Sequence, residues 1–124
     1  MATVNLTASD FEKTVLENDI VMVDFWASWC GPCRSFAPTY EKASEANPDI
    51  IFGKVDTEAE QALASAASIT SIPTLMAFRD GVLVFNQAGA LPAPSLEQVI
   101  QAVKGLDMED VHRQIAEQQQ AQTG

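Results

Sequence analysis

The run Asp24-Phe25-Trp26-Ala27-Ser28-Trp29-Cys30-Gly31-Pro32-Cys33 holds both cysteines of the chain, three residues apart, after an apolar strand-like run and before a helical pattern. Two thiols so spaced at a helix start fall on one face, within the Cα separation of roughly 4.4 to 6.8 Å that a disulfide accepts. The chemistry on offer is reversible: a short loop that closes on oxidation and opens on reduction. A Cys-x-x-Cys pair is also half of a structural zinc site, which wants four ligands, usually Cys or His. Only one distant histidine, His112, is available, so a lone chain cannot complete that site, and zinc would have to be shared across a dimer. A purely structural disulfide is the remaining reading, although so small a loop removes little unfolded-state entropy.

The elements that must position the thiols follow from the pattern around them. Ile20 to Ala27 is β-rich and apolar on both alternating faces apart from Asp24, which predicts a central strand covered on both sides. After the cysteines, Phe36, Tyr40 and Ala43 recur at helical steps, and Pro38 inside that helix is expected to kink it by removing a backbone donor. Upstream, Thr7-Ala8-Ser9-Asp10 reads as a capped helix start, with the helix from about Ala8 to Glu17. Downstream, the expectations are a strand over Ile50 to Asp56, an alanine-rich helix over Glu58 to Ala67 and a strand over Thr74 to Phe78. A hairpin turn at Asp80-Gly81 then leads into Val82 to Phe85. Helices follow from Ser95, read as the cap, to Lys104, and from about Met108 to Gln118. The order β-α-β-α-β-α-β-β-α-α starts with alternation, implying parallel pairing, and ends in a hairpin, implying an antiparallel edge. The fold class is therefore α/β, a mixed sheet with helices on both faces.

Asp24 is the second candidate for chemistry. A carboxylate on a strand that is apolar on both faces loses hydration, and its pKa should rise. The alternative is an Asp at the strand end that points into a solvated notch.

Composition narrows the class. A chain of 124 residues, 47% apolar and 19% charged, suits one domain with a real core. Two cysteines are too few for a secreted disulfide scaffold, and Met1-Ala2-Thr3-Val4-Asn5 lacks a basic region followed by an apolar run, which favours a reducing, cytoplasmic setting. The longest apolar stretch, Ile20 to Ala27, is too short to span a bilayer. Seventeen acidic residues against seven Lys plus Arg give a formal charge of −10, which repels phosphate backbones and anionic lipids and argues against nucleic-acid or membrane partners. Nothing demands a dimer, so a monomer is expected.

Taken in order, Trp-Cys-Gly-Pro-Cys at 29 to 33, the preceding Asp24-Phe25-Trp26, Ile72-Pro73-Thr74, and Gly89-Ala90 after the hairpin resemble the thioredoxin family. The resemblance covers about Val4 to Lys104. It implies the thioredoxin fold over residues 1–106, with residues 107–124 as a C-terminal helical extension ending in a frayed polar tail, Gln118 to Gly124. It further implies a protein-disulfide oxidoreductase that is re-reduced by thioredoxin reductase and passes electrons to oxidised client proteins. No bound cofactor or metal is expected, NADPH entering only through the reductase. Cys30, preceding the first helical turn, would be the nucleophile with a depressed pKa; the size of that depression is carried over from the family. Cys33, less exposed, would resolve the mixed disulfide, and Asp24 would exchange a proton with it. Gly31 would admit a partner backbone and Pro32 would fix the helix start. Trp26 would shield the dithiol as core packing, and Trp29 would contact partners. The family holds the proline of Ile72-Pro73 cis, and Ile72, Gly89 and Ala90 would line a groove that takes a broad range of partner strands by main-chain hydrogen bonds.

Departures from the family pattern are visible as well. Many bacterial members carry a lysine near the buried acid; counting back from Asp56 puts Phe52 there, with Lys54 two residues later on the same strand face, so that role is not carried to Lys54. Thr70-Ser71 stand where a basic residue and glycine often precede Ile-Pro. Met108, Val111 and Ile115 form a narrow apolar stripe, read as packing on the parent domain with a partner-docking helix as the alternative, and His112 is read as a solvated surface residue. Two other functions stay open: a thiol oxidase or isomerase of the same fold, and a binding subunit that does not cycle its thiols.

Overall fold

The computed structural model describes residues 2–123. These form β1 (Thr3–Asn5), α1 (Phe11–Glu17), β2 (Ile20–Trp26), α2 (Gly31–Ala46), β3 (Ile51–Asp56), α3 (Gln61–Ala66), β4 (Thr74–Arg79), β5 (Val82–Ala88), α4 (Ala93–Lys104) and α5 (Met108–Thr123). The sheet order is β1-β3-β2-β4-β5. β3 runs parallel to both β1 and β2, whereas β4 is antiparallel to both β2 and β5.

β2 is central because its residues Val21 to Phe25 are buried on both sides. One face of the sheet packs Met22, Phe52, Leu75 and Ala77 against Phe36 and Tyr40 of α2 and Leu96, Ile100 and Val103 of α4. The other face packs Val21, Val23, Phe25, Val55 and Met76 against Val15 of α1, with Phe11 and Leu63 closing the layer. Alternation along β2 thus feeds two cores.

The pairing of β4 departs from the alternation rule. A β-α-β passage from β3 would put β4 parallel, but α3 has only six residues and spans about 9 Å, against about 20 Å for a six-residue strand. The helix alone does not carry the chain back to the start of the sheet. The chain therefore enters β4 from the end at which β3 leaves, and β4 runs the other way. α2, with sixteen residues, is long enough to return, and β2 and β3 are parallel. It continues unbroken through Pro38.

Several boundaries shift for local reasons. α1 begins at Phe11 rather than Ala8, because the Thr7 hydroxyl pairs with Ser9 while Asp10 Oδ1 accepts the Thr7 N–H at 2.7 Å, leaving Ala8 to Asp10 as a turn. α3 begins at Gln61 rather than Glu58, because Asp56 Oδ1 accepts the N–H groups of Glu58 and Ala59 at 2.9 and 3.4 Å and holds them in a turn. α4 starts at Ala93 with Pro92 as its cap residue, so Ser95 lies inside the first turn and caps nothing. Pro94, with fixed φ and no N–H, suits that turn. α5 extends to Thr123, five residues past the predicted end, through a segment free of Pro and Gly; Gly124 lies outside the described residues. The hairpin forms as predicted: Asp80 (φ 51°) and Gly81 (φ 79°) both take positive φ, as a type I′ turn requires.

Candidate active site

The site sits where β2 hands the chain to α2. Cys30 is the residue capping α2, with extended backbone angles (φ −84°, ψ 114°), and Gly31 and Pro32 occupy the first two helical positions. The thiols are joined as a Cys30–Cys33 disulfide with a Cα separation of 5.2 Å. The Cys33 N–H donates to Cys30 Sγ at 3.2 Å, so one of the orphan donors of the helix start is aimed at that sulfur. Both cysteines are buried to nearly the same degree, 4% and 3% exposed. Exposure therefore does not distinguish them, contrary to the expectation for Cys33; the helix-start donor does.

Around the pair, Ala27 is buried and Trp26 and Ile72 pack against it, which puts Trp26 in the shielding position read from the sequence. Trp29 is 65% exposed beside Cys30. The Ile72–Pro73 peptide is cis, and the Ile72 carbonyl oxygen lies 3.8 Å from Cys30 Sγ. Gly89 (φ 102°) donates its N–H to the Pro73 carbonyl at 2.8 Å. The hairpin end carrying Gly89 and exposed Ala90 is thereby brought to Pro73. Trp29, Ile72, Ile69, Ala64, Thr70 and Ser71 line a depression of about 570 Å³ next to the disulfide; Gly89 and Ala90 stand outside that lining.

Asp24 is 1% exposed, and neither carboxylate oxygen has a hydrogen-bond partner. The solvated-notch alternative does not hold. Burial raises its pKa from 3.8 to about 7, partly offset by the Lys54 ammonium. By alternation it shares the sheet face of Met22, the face that α2 covers. Tyr40 of α2 is fully buried there; burial and then the Asp24 carboxylate push its hydroxyl well above the usual range, and it donates to Gly53 O at 2.8 Å. Lys54 pairs with Asp24 in the β2–β3 register, so the structure brings to the acid the lysine to which the sequence comparison assigned no role. His112 is exposed. Among the described residues, no group of three or more His, Cys, Asp or Glu could hold a metal ion, and no helix is long and apolar enough to cross a membrane.

The thioredoxin family model matches residues 2–102. The chain belongs to the thioredoxin family. A thioredoxin 2 homologue of Streptomyces coelicolor is 57% identical over 123 residues, covering 99% of this chain and 91% of that protein. Thioredoxin-1 of Saccharomyces cerevisiae is 39% identical and covers 82% of this chain and 98% of its own length. Among solved structures, a Plasmodium falciparum thioredoxin is 33% identical with a TM-score of 0.75, covering 81% of this chain and 97% of that one. A Halobacterium salinarum thioredoxin variant is 32% identical with a TM-score of 0.77, covering 85% and 92%. With a cysteine pair closed at disulfide distance on a thioredoxin fold, the chain is a protein-disulfide oxidoreductase with a redox-active centre, and its thioredoxin relatives support the reductase direction.

Two residues of this thioredoxin site escaped the sequence reading. Glu58 accepts the Trp29 indole N–H; the signal was Asp56 two residues earlier, which makes a turn there rather than a helix start. Thr57 donates its N–H and Oγ1 to the Trp26 carbonyl at 2.9 and 3.0 Å and ties that turn to the end of β2.

Proposed function

We propose that this protein is a general protein-disulfide reductant in which Cys30 attacks and Cys33 resolves. The Cys30 thiolate attacks one sulfur of a client disulfide and expels the other as a thiolate, giving a mixed disulfide. Cys33 then attacks Cys30 Sγ, releases the second client thiol and leaves the Cys30–Cys33 disulfide, so two electrons have passed to the client. The observation that carries this assignment is the helix-start N–H of Cys33 directed at Cys30 Sγ, which favours negative charge on that sulfur.

Asp24 is assigned as the group that takes the proton from Cys33 as it attacks and returns it on re-reduction. Its buried position on the α2 face and its pKa near neutrality support that role. Trp29, Gly31, Pro32, Ile72, Pro73, Gly89 and Ala90 are assigned to client binding, the Ile72 backbone pairing with an extended client segment. Thioredoxin reductase, drawing on NADPH, would restore the dithiol, with no cofactor bound to this chain. We place the protein in the cytoplasm as a monomer, and divide it into a catalytic unit, residues 1–106, and an appended helix, residues 107–124. The family match over residues 2–102 supports the division.

The test is trapping. A Cys33→Ser variant is expected to accumulate a mixed disulfide with an oxidised client through Cys30, and Cys30→Ser to accumulate none. Trapping through Cys33 instead would reverse the assignment.

A further inference from the structure

An indole that is 65% exposed ordinarily has its N–H in water. In this chain the Trp29 N–H donates across the site to Glu58 Oε1. Glu58 is itself held: its N–H donates to Asp56 Oδ1 at 2.9 Å, and the adjacent Thr57 is bonded twice to the end of β2. The neighbouring depression has a neutral lining, formed by Trp29, Thr57, Gln61, Ala64, Ser65 and residues 69–72. The nearby cations face elsewhere. Arg34 donates to the Ser28 carbonyl at 2.9 Å, and both Arg34 and Lys54 line a separate depression with Thr3, Asn5 and Glu41. Beside this neutral depression the Trp29 indole, part of its lining, is bonded to an anchored charge, the Glu58 carboxylate. Its Oε1 takes the indole, and among the described residues no partner takes Oε2.

We infer that Glu58 is a specificity-determining residue: it fixes the Trp29 indole as one wall of the groove and selects clients that carry Lys or Arg beside their disulfide. The inference rests on the reading of this groove as the client site. An approaching guanidinium or ammonium meets a carboxylate already held in place, so the ordering entropy of one partner is spent before binding. The pair forms at an exposed rim, which limits its worth to a preference rather than an exclusive choice.

The experiment compares kcat/KM for disulfide peptides identical except for an Arg, Ser or Glu beside the cysteine, using the wild type, Glu58→Gln and Glu58→Ala. The wild type is expected to prefer the Arg peptide over the Glu peptide. In Glu58→Gln, which keeps an amide oxygen for the indole but no charge, that ratio should shrink about two- to five-fold. Near-UV circular dichroism of the indole should stay like wild type in Glu58→Gln and change in Glu58→Ala. The wild-type ratio should also shrink more steeply than the Gln variant's as salt is raised. Equal ratios in wild type and Glu58→Gln, with all peptides reduced, would overturn the role of Glu58 alone. Failure of the wild type to reduce any of the peptides would overturn the reductase reading beneath it.

Discussion

Asp24 stands opposite Lys54 in the parallel β2–β3 register, and the Lys54 ammonium lies 5.0 Å from the centroid of the Trp26 ring. A carboxylate without a hydrogen bond, a cation over an indole and an indole N–H that is itself buried and unpaired thus meet on one face of β2 and β3. Burial and the ammonium act on Asp24 in opposite directions, and burial wins.

The sign of the pH dependence follows. Because the native pKa of Asp24, about 7, lies above the ordinary 3.8, the folded protein holds this proton more tightly than the unfolded chain does. The full stability is present below about pH 4 and falls as pH rises toward 7, by up to about 4 kcal/mol. Asp24→Asn should remove that slope, gaining on the wild type at pH 8 relative to pH 4, as urea unfolding of the oxidised protein would measure. Lys54→Met should move the Asp24 midpoint upward, read by carboxyl NMR. A wild-type stability that rises between pH 4 and 7 once Asp24→Asn is subtracted would contradict the burial-dominated account.

Tyr40→Phe isolates one buried hydrogen bond. The ring sits 5.6 Å from Phe36 and 5.3 Å from Phe52 between centroids, and phenylalanine keeps those contacts. What is lost is the donor to Gly53 O, at about 1 to 2 kcal/mol. The expected result is a lower urea midpoint with an unchanged m value.

Arg79, the last residue of β4, directs Nη1 at the carbonyls of Val103, Lys104 and Leu106, at 2.8, 3.0 and 3.0 Å. It satisfies the C-terminal end of α4 and fixes the junction from which α5 turns back to set Val111 and Ile115 beside Val82 and Val84 of β5. Arg79→Met keeps the apolar stem and should lose about 2 kcal/mol. Amide exchange should speed up through Leu106 to Val111, while client reduction is retained. Unchanged exchange there would show that α5 is held by its apolar stripe alone.

What the sequence made legible was what is local. The thiol spacing, the one acid in an apolar strand and the Asp80-Gly81 turn each carry their meaning within a few residues, and the structure places all of them as expected. Lys54 was named but given no role, because its meeting with Asp24 depends on the register between two strands that a sixteen-residue helix separates. Glu58 was missed because Asp10 and Asp56 look alike in sequence, acids near a helix start, and both bend the chain into a turn before the helix begins. The direction of β4 went with a short α3, which the alanine-rich run overstated by three residues at its start and one at its end.

Cys30 and Cys33 are assigned as a reducing couple. The most direct measurement equilibrates the purified protein in dithiol–disulfide buffers of graded potential and follows the fluorescence of Trp26 and Trp29, which flank the pair. A single two-electron transition near about −270 mV is expected, a value carried over from the thioredoxin family. A transition at about −180 to −120 mV would make the protein an oxidant or isomerase, and no transition at all would contradict redox cycling.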